Sequence, residues 1–240
     1  MTNQRSKIIN QPSLFSIIIP ALDEEATLPA TLASVAQQTG PVEVIVADGG
    51  STDDTRGVAE AHGAAVVRAP RGRASQMNAG AAAASGAALL FLHADTALHP
   101  RALALARATL ADPAVAGGCF RTTFDRDSVW LRLWSSRTVM QWWRFAFGDR
   151  APFTRRATFD AIGGIPAQPI FEDLDFVKAL RRQGRFVLLD TPVQTSARRF
   201  ERYGHVGQQL RNSVLWSAWC LGISPERCVR FYPAQQTERE

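Results

Sequence analysis

Two apolar runs, Phe15-Ser-Ile-Ile-Ile-Pro20 and Val42-Glu-Val-Ile-Val-Ala-Asp48, decide the fold of this chain. Each is too short for a helix and rich in β-branched residues, which is typical of buried parallel strands. Between them, from about Thr27, apolar side chains recur at helical spacing, and Pro29 fits the first turn of a helix. Strand, helix and strand in this order predict a crossover unit of a parallel sheet.

The same alternation continues along the chain. Strands are predicted over Ala65–Arg68 and Ala87–Leu92, with a helix over Gln76–Ser85 between them. Ser51 and Asp54 are spaced as a capping box for the helix after the second strand. Four alternations predict an α/β fold with a mostly parallel, Rossmann-like central sheet flanked by helices. Ligands of such sheets bind at the carboxyl ends of the strands.

The second half of the chain is less regular and richer in helix. The predicted elements are helices over Pro100–Ala111, Phe171–Arg182 and Tyr203–Gly222, and strands over Gly118–Phe124 and Phe186–Leu189. No repeat or low-complexity linker divides the halves. We therefore expect a frayed N-terminus over residues 1–14, a single domain over 15–232 and a C-terminal tail over 233–240.

The composition excludes several classes of protein. Of the 240 residues, 46% are hydrophobic and 20% charged, so the chain can bury a core and is not globally disordered. Its three cysteines form no C-x-x-C pair, which argues against a disulfide scaffold and fits a reducing cytosol. The first residues lack the apolar segment of a secretory signal. We therefore expect a cytoplasmic protein.

The positive charge is concentrated in the second half. The net charge is +5, and the first 118 residues carry ten acidic and eight basic side chains. Arginine supplies 25 of the 27 basic residues, and its guanidinium suits phosphate and carboxylate groups. A solvated basic surface, phosphorylated ligands, an anionic membrane surface and nucleic acid are the alternatives. No nucleic-acid-binding motif accompanies the charge, so we expect no nucleic-acid partner.

Acidic side chains stand at the predicted carboxyl ends of the strands. Asp48 and Asp95 follow the second and fourth strands, and Ala21-Leu-Asp-Glu-Glu25 follows the first. The Gly-rich dinucleotide fingerprint, the Walker A loop and the G-x-S-x-G hydrolase motif are absent from the sequence. The carboxylates suggest a nucleotide diphosphate and a divalent metal, with Asp48 accepting from base and ribose and Asp95 binding a hard cation. For Asp48, a helix N-cap is the alternative.

Three motifs resemble those of the family 2 glycosyltransferases. They are Ser16-Ile-Ile-Ile-Pro-Ala-Leu-Asp-Glu-Glu25, Val46-Ala-Asp-Gly-Gly-Ser-Thr-Asp-Asp-Thr55 and Phe91-Leu-His-Ala-Asp-Thr96, where the family reads P-x-x-N-E, D-D-G-S-x-D-x-T and D-x-D. The chain is most similar to a small bacterial branch with His-Ala-Asp in place of D-x-D. That branch has been linked by context to arsenosugar biosynthesis.

The resemblance implies a GT-A fold that binds a nucleotide-diphospho-sugar, UDP-linked, and transfers the sugar to a hydroxyl acceptor by an inverting single displacement. It implies a nucleotide-binding half over residues 15–118 and an acceptor-side half over 119–232. The implied donor-binding residues are Pro20, Ala21, Glu24, Asp48, Arg73, Asn78, His93, Ala94 and Asp95. Glu172 and Asp173 match the pair that supplies the catalytic base.

The implied metal ligands are Asp95 and His93, and the cofactor is Mn²⁺ or Mg²⁺. His93 stands where the first carboxylate of D-x-D is usual. Imidazole suits borderline metals such as Mn²⁺ better than Mg²⁺. A strand-end histidine bonded to the backbone is the alternative for His93.

Helical spacing favours Asp173 over its neighbours as the base. In a helix over Phe171–Arg182, Asp173 shares a face with apolar residues such as Phe176, and its place at the N-terminus keeps it ionised. Asp175 is placed near Lys178, where a solvated ion pair is the simpler interpretation. The alternative is that both carboxylates only complement the helix dipole.

Other residues of the second half are candidates for diphosphate and acceptor binding. Arg198 and Arg199 follow a predicted strand and would close over the diphosphate or hold the acceptor, and Gly148-Asp149-Arg150 is placed on the acceptor side. The tryptophans of this half are Trp130, Trp134, Trp142, Trp143, Trp216 and Trp219. They could pack in the core, stack on a sugar, or form a peripheral contact with the inner membrane face, where the enzyme would meet a lipid acceptor. A nucleotidyltransferase and a non-catalytic nucleotide-sugar-binding protein remain the alternative functions.

Overall fold

The computed structural model describes residues 14–125, 150–198 and 205–229. The predicted Trp- and Arg-rich segment 128–147, Arg199 and most of both chain ends lie outside the described residues. The strands are β1 (Phe15–Ala21), β2 (Val42–Asp48), β3 (Ala65–Arg68), β4 (Ala88–Phe91), β5 (Thr96–Leu98), β6 (Val115–Phe124), β7 (Phe153–Arg155) and β8 (Arg185–Thr195). The helices are α1 (Leu28–Ala36), α2 (Thr55–Ala61), α3 (Arg73–Ala83), α4 (Ala102–Leu110), α5 (Arg156–Ala161), α6 (Glu172–Gln183), α7 (His205–Cys220) and α8 (Pro225–Val229).

The eight described strands form one mixed sheet in the order β3-β2-β1-β4-β7-β6-β8-β5. The first four strands pair in parallel, as the alternation predicted. β7 lies antiparallel between β4 and β6, and β5 pairs antiparallel with β8 at the edge. β6 and β8 run parallel. The mostly parallel sheet with flanking helices is therefore confirmed, with one short antiparallel strand inserted and another at the edge.

The central strand β1 has apolar side chains on both faces of the sheet, so helices must pack against both faces. Ile17 and Ile19 belong to one buried apolar cluster, whereas Ile18 between them belongs to another. Successive side chains of a strand point to opposite faces, so β1 contributes to a core on each side of the sheet. Leu28 of α1 packs in the first cluster and Met77 of α3 in the second. The continuous apolar run of β1 is thus a consequence of two buried faces.

The capping box predicted for α2 is wrong. The helix begins after Asp54, and this residue makes no side-chain hydrogen bond to the helix. The Ser51 hydroxyl instead accepts the backbone N–H of Asp23 at 3.0 Å. Both residues of the pattern thus contact the loop after β1, since Asp54 also donates its backbone N–H to Glu25 Oε2 at 2.9 Å.

Several arginines bind the protein's own backbone. Arg156 donates from Nε to the Gly86 carbonyl at 2.9 Å, from Nη1 to that of Ala81 at 3.1 Å and from Nη2 to that of Ala84 at 2.7 Å. Arg155 donates to the carbonyl of Val115 at 2.6 Å. These donors satisfy carbonyls around the end of α3 and the start of β6. Part of the basic excess is therefore structural.

Replacing Arg156 with methionine is expected to lower the free energy of unfolding by about 2–4 kcal/mol, because three carbonyls lose a charged donor. The matched control is Arg185→Met, whose ion pair with Asp112 is exposed and contributes about 0–1 kcal/mol. Urea unfolding of both variants measures the difference. Equal losses would contradict the structural role of Arg156.

The longest described helix, α7, has 16 residues. Val214 on this helix and Leu221 just after it are 59% and 80% exposed. Among the described ranges, no helix combines the length and the apolar character that crossing a bilayer requires.

Candidate nucleotide-binding and catalytic site

The side chain of Asp48 lies at the carboxyl end of β2, next to Ala21 at the end of β1. It is only 1% exposed. Its Oδ1 atom accepts the Ser51 N–H at 3.0 Å, whereas its Oδ2 atom has no hydrogen-bond partner within the part of the chain that the structure describes, and Arg56 Nε lies 4.0 Å from it. Asp48 does not cap α2, which begins seven residues later at Thr55. A buried carboxylate oxygen without a donor needs one, and a nucleotide can provide it.

The loop after β1 is held by the loop after β2. Thr52 donates its N–H to Asp23 Oδ1 at 2.7 Å, and Glu24 donates its N–H to Thr55 Oγ1 at 2.8 Å. Asp23 has a φ of 52°, a left-handed conformation that Asp tolerates better than most residues. Burial favours a higher pKa for Asp53, but hydrogen bonds from Thr55 and Glu25 outweigh it and hold that pKa below its usual value. The Pro20–Glu24 segment is therefore ordered by the protein itself.

Gln76 of α3 is a site residue that the sequence analysis missed. It is 5% exposed, and its Nε2 donates to the carbonyls of Ala21 at 2.7 Å and Ala47 at 2.9 Å. The side chain thus ties the ends of β1 and β2 together under Asp48. A Cβ on Gly49 would come within 2.9 Å of Gln76, so the glycine makes room for this contact. The sequence could have indicated this role, because Gln76 is a polar residue on the buried face of a helix.

Arg198 connects two of the predicted site residues. It binds the Glu24 carboxylate with two nitrogens, Nη1 at 2.8 Å and Nη2 at 2.5 Å. Nη2 also lies 3.1 Å from Asp95 Oδ2. The Asp95 side chain is 10% exposed, whereas that of Arg198 is 40% exposed, so the guanidinium stays accessible to solvent or a ligand. The structure therefore brings the loop after β1, the segment after β4 and the segment after β8 to one point, and Arg199 lies outside the described residues.

The residues where Arg198 meets Asp95 supply only part of a ligand set for a divalent metal. No cluster of three or more His, Cys, Asp and Glu side chains that could hold a metal occurs among residues 14–125, 150–198 and 205–229. His93 and Asp95 have the right chemistry for Mn²⁺, but they are two donors, and Asp95 is paired with Arg198. The other ligands would have to be oxygens of a bound diphosphate.

The two carboxylates at the start of α6 have different surroundings. Glu172 is 5% exposed and pairs with Arg73, whose Nη1 lies 3.3 Å from Oε1. Asp173 is half-buried, and its Oδ1 accepts the Leu174 N–H at 2.8 Å. Because Asp173 is more exposed than the buried Glu172, it is the more accessible of the two to an acceptor hydroxyl and the better candidate for a group that takes up a proton.

Asp175 does not form the predicted ion pair. Its Oδ2 accepts the side-chain amide of Gln168 at 2.9 Å, and none of the salt bridges between described residues includes it. Gln168 lies in the loop before α6, and Lys178 lies over the ring of Trp219, with its Nζ 5.7 Å from the ring centroid. The contrast with Asp173 is unchanged, since Asp175 still has a simple structural partner.

Asn78 binds backbone in this structure. Its Nδ2 donates to the Ile165 carbonyl at 2.8 Å, and its Oδ1 accepts the Ile165 N–H at 2.9 Å. The side chain therefore joins α3 to the loop after α5. Its role towards a ribose stays a prediction.

The fold belongs to a known class of enzyme. It is similar to Staphylococcus aureus TarS 1-349 in complex with UDP, with a TM-score of 0.63 and 18% identity over 76% of this chain and 60% of that one. It is also similar to glucosyl-3-phosphoglycerate synthase from Mycobacterium tuberculosis, whose structure contains Mn²⁺, UDP and glucosyl-3-phosphoglycerate, with a TM-score of 0.61 and 22% identity over 88% and 81%. These likenesses show the GT-A glycosyltransferase fold.

The sequence comparison identifies the family. The family model "Glycosyl transferase family 2" matches residues 16–168, and the chain belongs to this family of glycosyltransferases. A "PGL/p-HBAD biosynthesis glycosyltransferase" of Mycobacterium bovis is 42% identical over 100 residues, which are 36% of this chain and 37% of that protein. The chain thus matches only about a third of the length of this curated relative.

Proposed function

We propose that the protein transfers a sugar from a UDP-linked donor to a hydroxyl acceptor, with inversion. The observation that carries this proposal is the buried, unpartnered Oδ2 of Asp48 at the end of β2. Uracil N3–H and ribose hydroxyls are donors of the kind this oxygen lacks. The UDP bound in the two similar solved structures supports the same choice of nucleotide.

The donor's diphosphate is proposed to lie over the point where Arg198 meets Glu24 and Asp95. A guanidinium binds phosphate oxygens through two parallel donors, and the same geometry now binds the Glu24 carboxylate. A bound divalent ion, held by His93 and Asp95 together with the diphosphate, would neutralise the charge of the leaving group. Mn²⁺ in one of the similar structures supports this assignment.

The reaction is a single displacement. The acceptor hydroxyl gives its proton to Asp173 and forms a bond to the anomeric carbon of the sugar, while the bond from this carbon to the diphosphate breaks and UDP leaves. Asp173 is suited to this task because the N-terminus of α6 keeps its carboxylate ionised. Glu172, paired with Arg73, is proposed to hold the start of the helix in place.

The finer predictions of the sequence remain proposals. They include the division at residues 118 and 119, a small-molecule or lipid acceptor, a cytoplasmic location and the branch linked to arsenosugars. The exposed Val214, Leu221 and Ile223 would suit a peripheral membrane contact.

A thermal-shift panel of nucleotides with Mn²⁺ tests the proposal. We expect uridine and UDP to stabilise the protein, and UDP to do so at the lower concentration. Asp48→Asn is expected to weaken uridine and UDP alike by roughly 10–100-fold, because a charge-assisted hydrogen bond contributes about 1.5–3 kcal/mol. Titration calorimetry measures the dissociation constants.

The exposed Asp190, whose side chain is 91% exposed, provides the control variant Asp190→Asn, which should bind UDP like the wild type. No shift with any uridine nucleotide would contradict the proposal, and so would stabilisation by guanosine nucleotides alone. UDP binding without release of UDP from UDP-sugars would favour a non-catalytic binder, and formation of a nucleotide-sugar from a nucleoside triphosphate would favour a nucleotidyltransferase.

A further inference from the structure

Arg150 is a buried arginine that the proposed reaction leaves without a role. It is 2% exposed, and its Nη2 atom has no hydrogen-bond partner among residues 14–125, 150–198 and 205–229. Its backbone carbonyl accepts the Phe120 N–H at 2.9 Å, and the next residue, Ala151, has a left-handed φ of 45°. The backbone hydrogen bond thus holds Arg150 inside the protein, and the left-handed backbone of Ala151 beside it costs free energy.

The described groups that act on the guanidinium do not complete its hydrogen bonding. The Cys119 thiol bonds to it, but burial raises the pKa of Cys119 to about 11, so the thiol is neutral near pH 7. Burial also lowers the pKa of Arg150, while Cys119 and then the charge of Asp173 favour its protonated form. A buried cation with an unpaired nitrogen is destabilising unless a ligand supplies the missing acceptor.

Arg150 lies at the reacting end of the sheet. β7 pairs with β4 in the register Leu90↔Phe153, and the Phe91 N–H donates to the Pro152 carbonyl at 2.9 Å. Because the two strands are antiparallel, residues before β7 continue towards the carboxyl end of β4, which leads to His93 and Asp95. The guanidinium bonds to Cys119 of β6, which packs against Val177 of α6, and the charge of Asp173 at the start of that helix acts on it.

We propose that Arg150 is a substrate-binding residue whose Nη2 donates to an oxyanion, a phosphate or a carboxylate, that enters beside Asp173. This inference rests on the proposed function, since it takes Asp173 as the base. The oxyanion is the diphosphate of the donor or an acidic group of the acceptor. In both cases the oxyanion supplies the hydrogen-bond acceptor that Arg150 Nη2 lacks, and the contact holds the reacting groups next to the Asp173 carboxylate.

The test compares Arg150→Gln and Arg150→Met with the exposed control Arg185→Gln, by calorimetry with UDP and with uridine in the presence of Mn²⁺. If the donor supplies the oxyanion, the dissociation constant of UDP rises tenfold or more in the Arg150 variants and that of uridine is unchanged. If the acceptor supplies it, UDP binding is unchanged, and the thermal shift that inorganic phosphate gives to the UDP-saturated wild type is lost. The inference is overturned if both responses match the wild type.

Melting temperatures separate binding from a structural role. Because the guanidinium is incompletely paired, Arg150→Met is expected to melt at or above the wild-type temperature. A lower melting temperature with unchanged UDP and phosphate responses would make Arg150 structural and overturn the inference. If Arg150→Met does not fold, Arg150→Lys, which keeps the charge but not the planar donors, is judged by the same binding criteria. Failure of the wild type to bind UDP would instead reject the proposed function itself.

Discussion

Replacing Asp173 with asparagine is expected to reduce the turnover of sugar transfer by roughly 10²–10⁴-fold, because the amide cannot take up the proton of the acceptor hydroxyl. The amide oxygen of asparagine can still accept the Leu174 N–H that Asp173 accepts at 2.8 Å, so the start of α6 should be preserved. UDP binding is expected to change by less than about twofold, since the base touches the acceptor. UDP release from the UDP-sugar that stabilises the wild type, together with UDP calorimetry, measures both effects.

Asp175→Asn is the matched control for this experiment. It makes the same chemical change two residues along the same helix, at a carboxylate bonded to Gln168. Its turnover should stay close to that of the wild type. Wild-type turnover by the Asp173 variant would remove Asp173 from the mechanism, and equal losses in the two variants would point to the electrostatics of the helix end.

Removal of divalent ions with EDTA is expected to abolish transfer, and added Mn²⁺ is expected to restore it. His93 and Asp95 are only two donors, and Arg198 Nη2 lies 3.1 Å from Asp95, so the protein without donor should bind Mn²⁺ weakly. With UDP present, diphosphate oxygens complete the ligand set, and the affinity should rise by about tenfold or more. Calorimetry of Mn²⁺ with and without UDP measures this dependence.

The control for chelation is magnesium added in place of manganese after EDTA treatment. With His93 as a ligand, Mn²⁺ should restore more activity than Mg²⁺ at equal concentration. Full activity in EDTA would contradict the metal-dependent mechanism. In that case Arg198, which already binds a carboxylate with two nitrogens, would be the group that neutralises the diphosphate.

The sequence predicted the strands of the alternating first half well, but only parts of the two longest strands, β6 (Val115–Phe124) and β8 (Arg185–Thr195), which were expected over Gly118–Phe124 and Phe186–Leu189. The bounds of β2 and β3 agree with their predictions, and β1 differs by one residue. β5 and β7 were missed because three-residue strands are too short to show a period, and their pairing partners are distant in sequence. The helix α3 begins at Arg73, three residues before its predicted start, since the arginines and glycine before Gln76 had suggested a loop.

The site was predictable where it depends on position in the sheet. Asp48 and Asp95 were placed at the rim because parallel strands end at one edge. The pairing of Glu24 with Arg198, which are 174 residues apart, could not be predicted because nothing local links them. The same holds for Cys119 and Arg150, whose contact depends on the antiparallel insertion of β7.

The mutual hydrogen bonding of the loops after β1 and β2 has a consequence for the thermodynamics of binding. Segments that become ordered only around a ligand lose conformational entropy at that moment, and the loss subtracts from affinity. Here Asp23 and Glu24 are held by hydrogen bonds to the protein's own Thr52 and Thr55. If these loops bind the base as proposed, we expect a small entropic cost and little movement of their backbone, with most of the rearrangement in the Arg198 guanidinium.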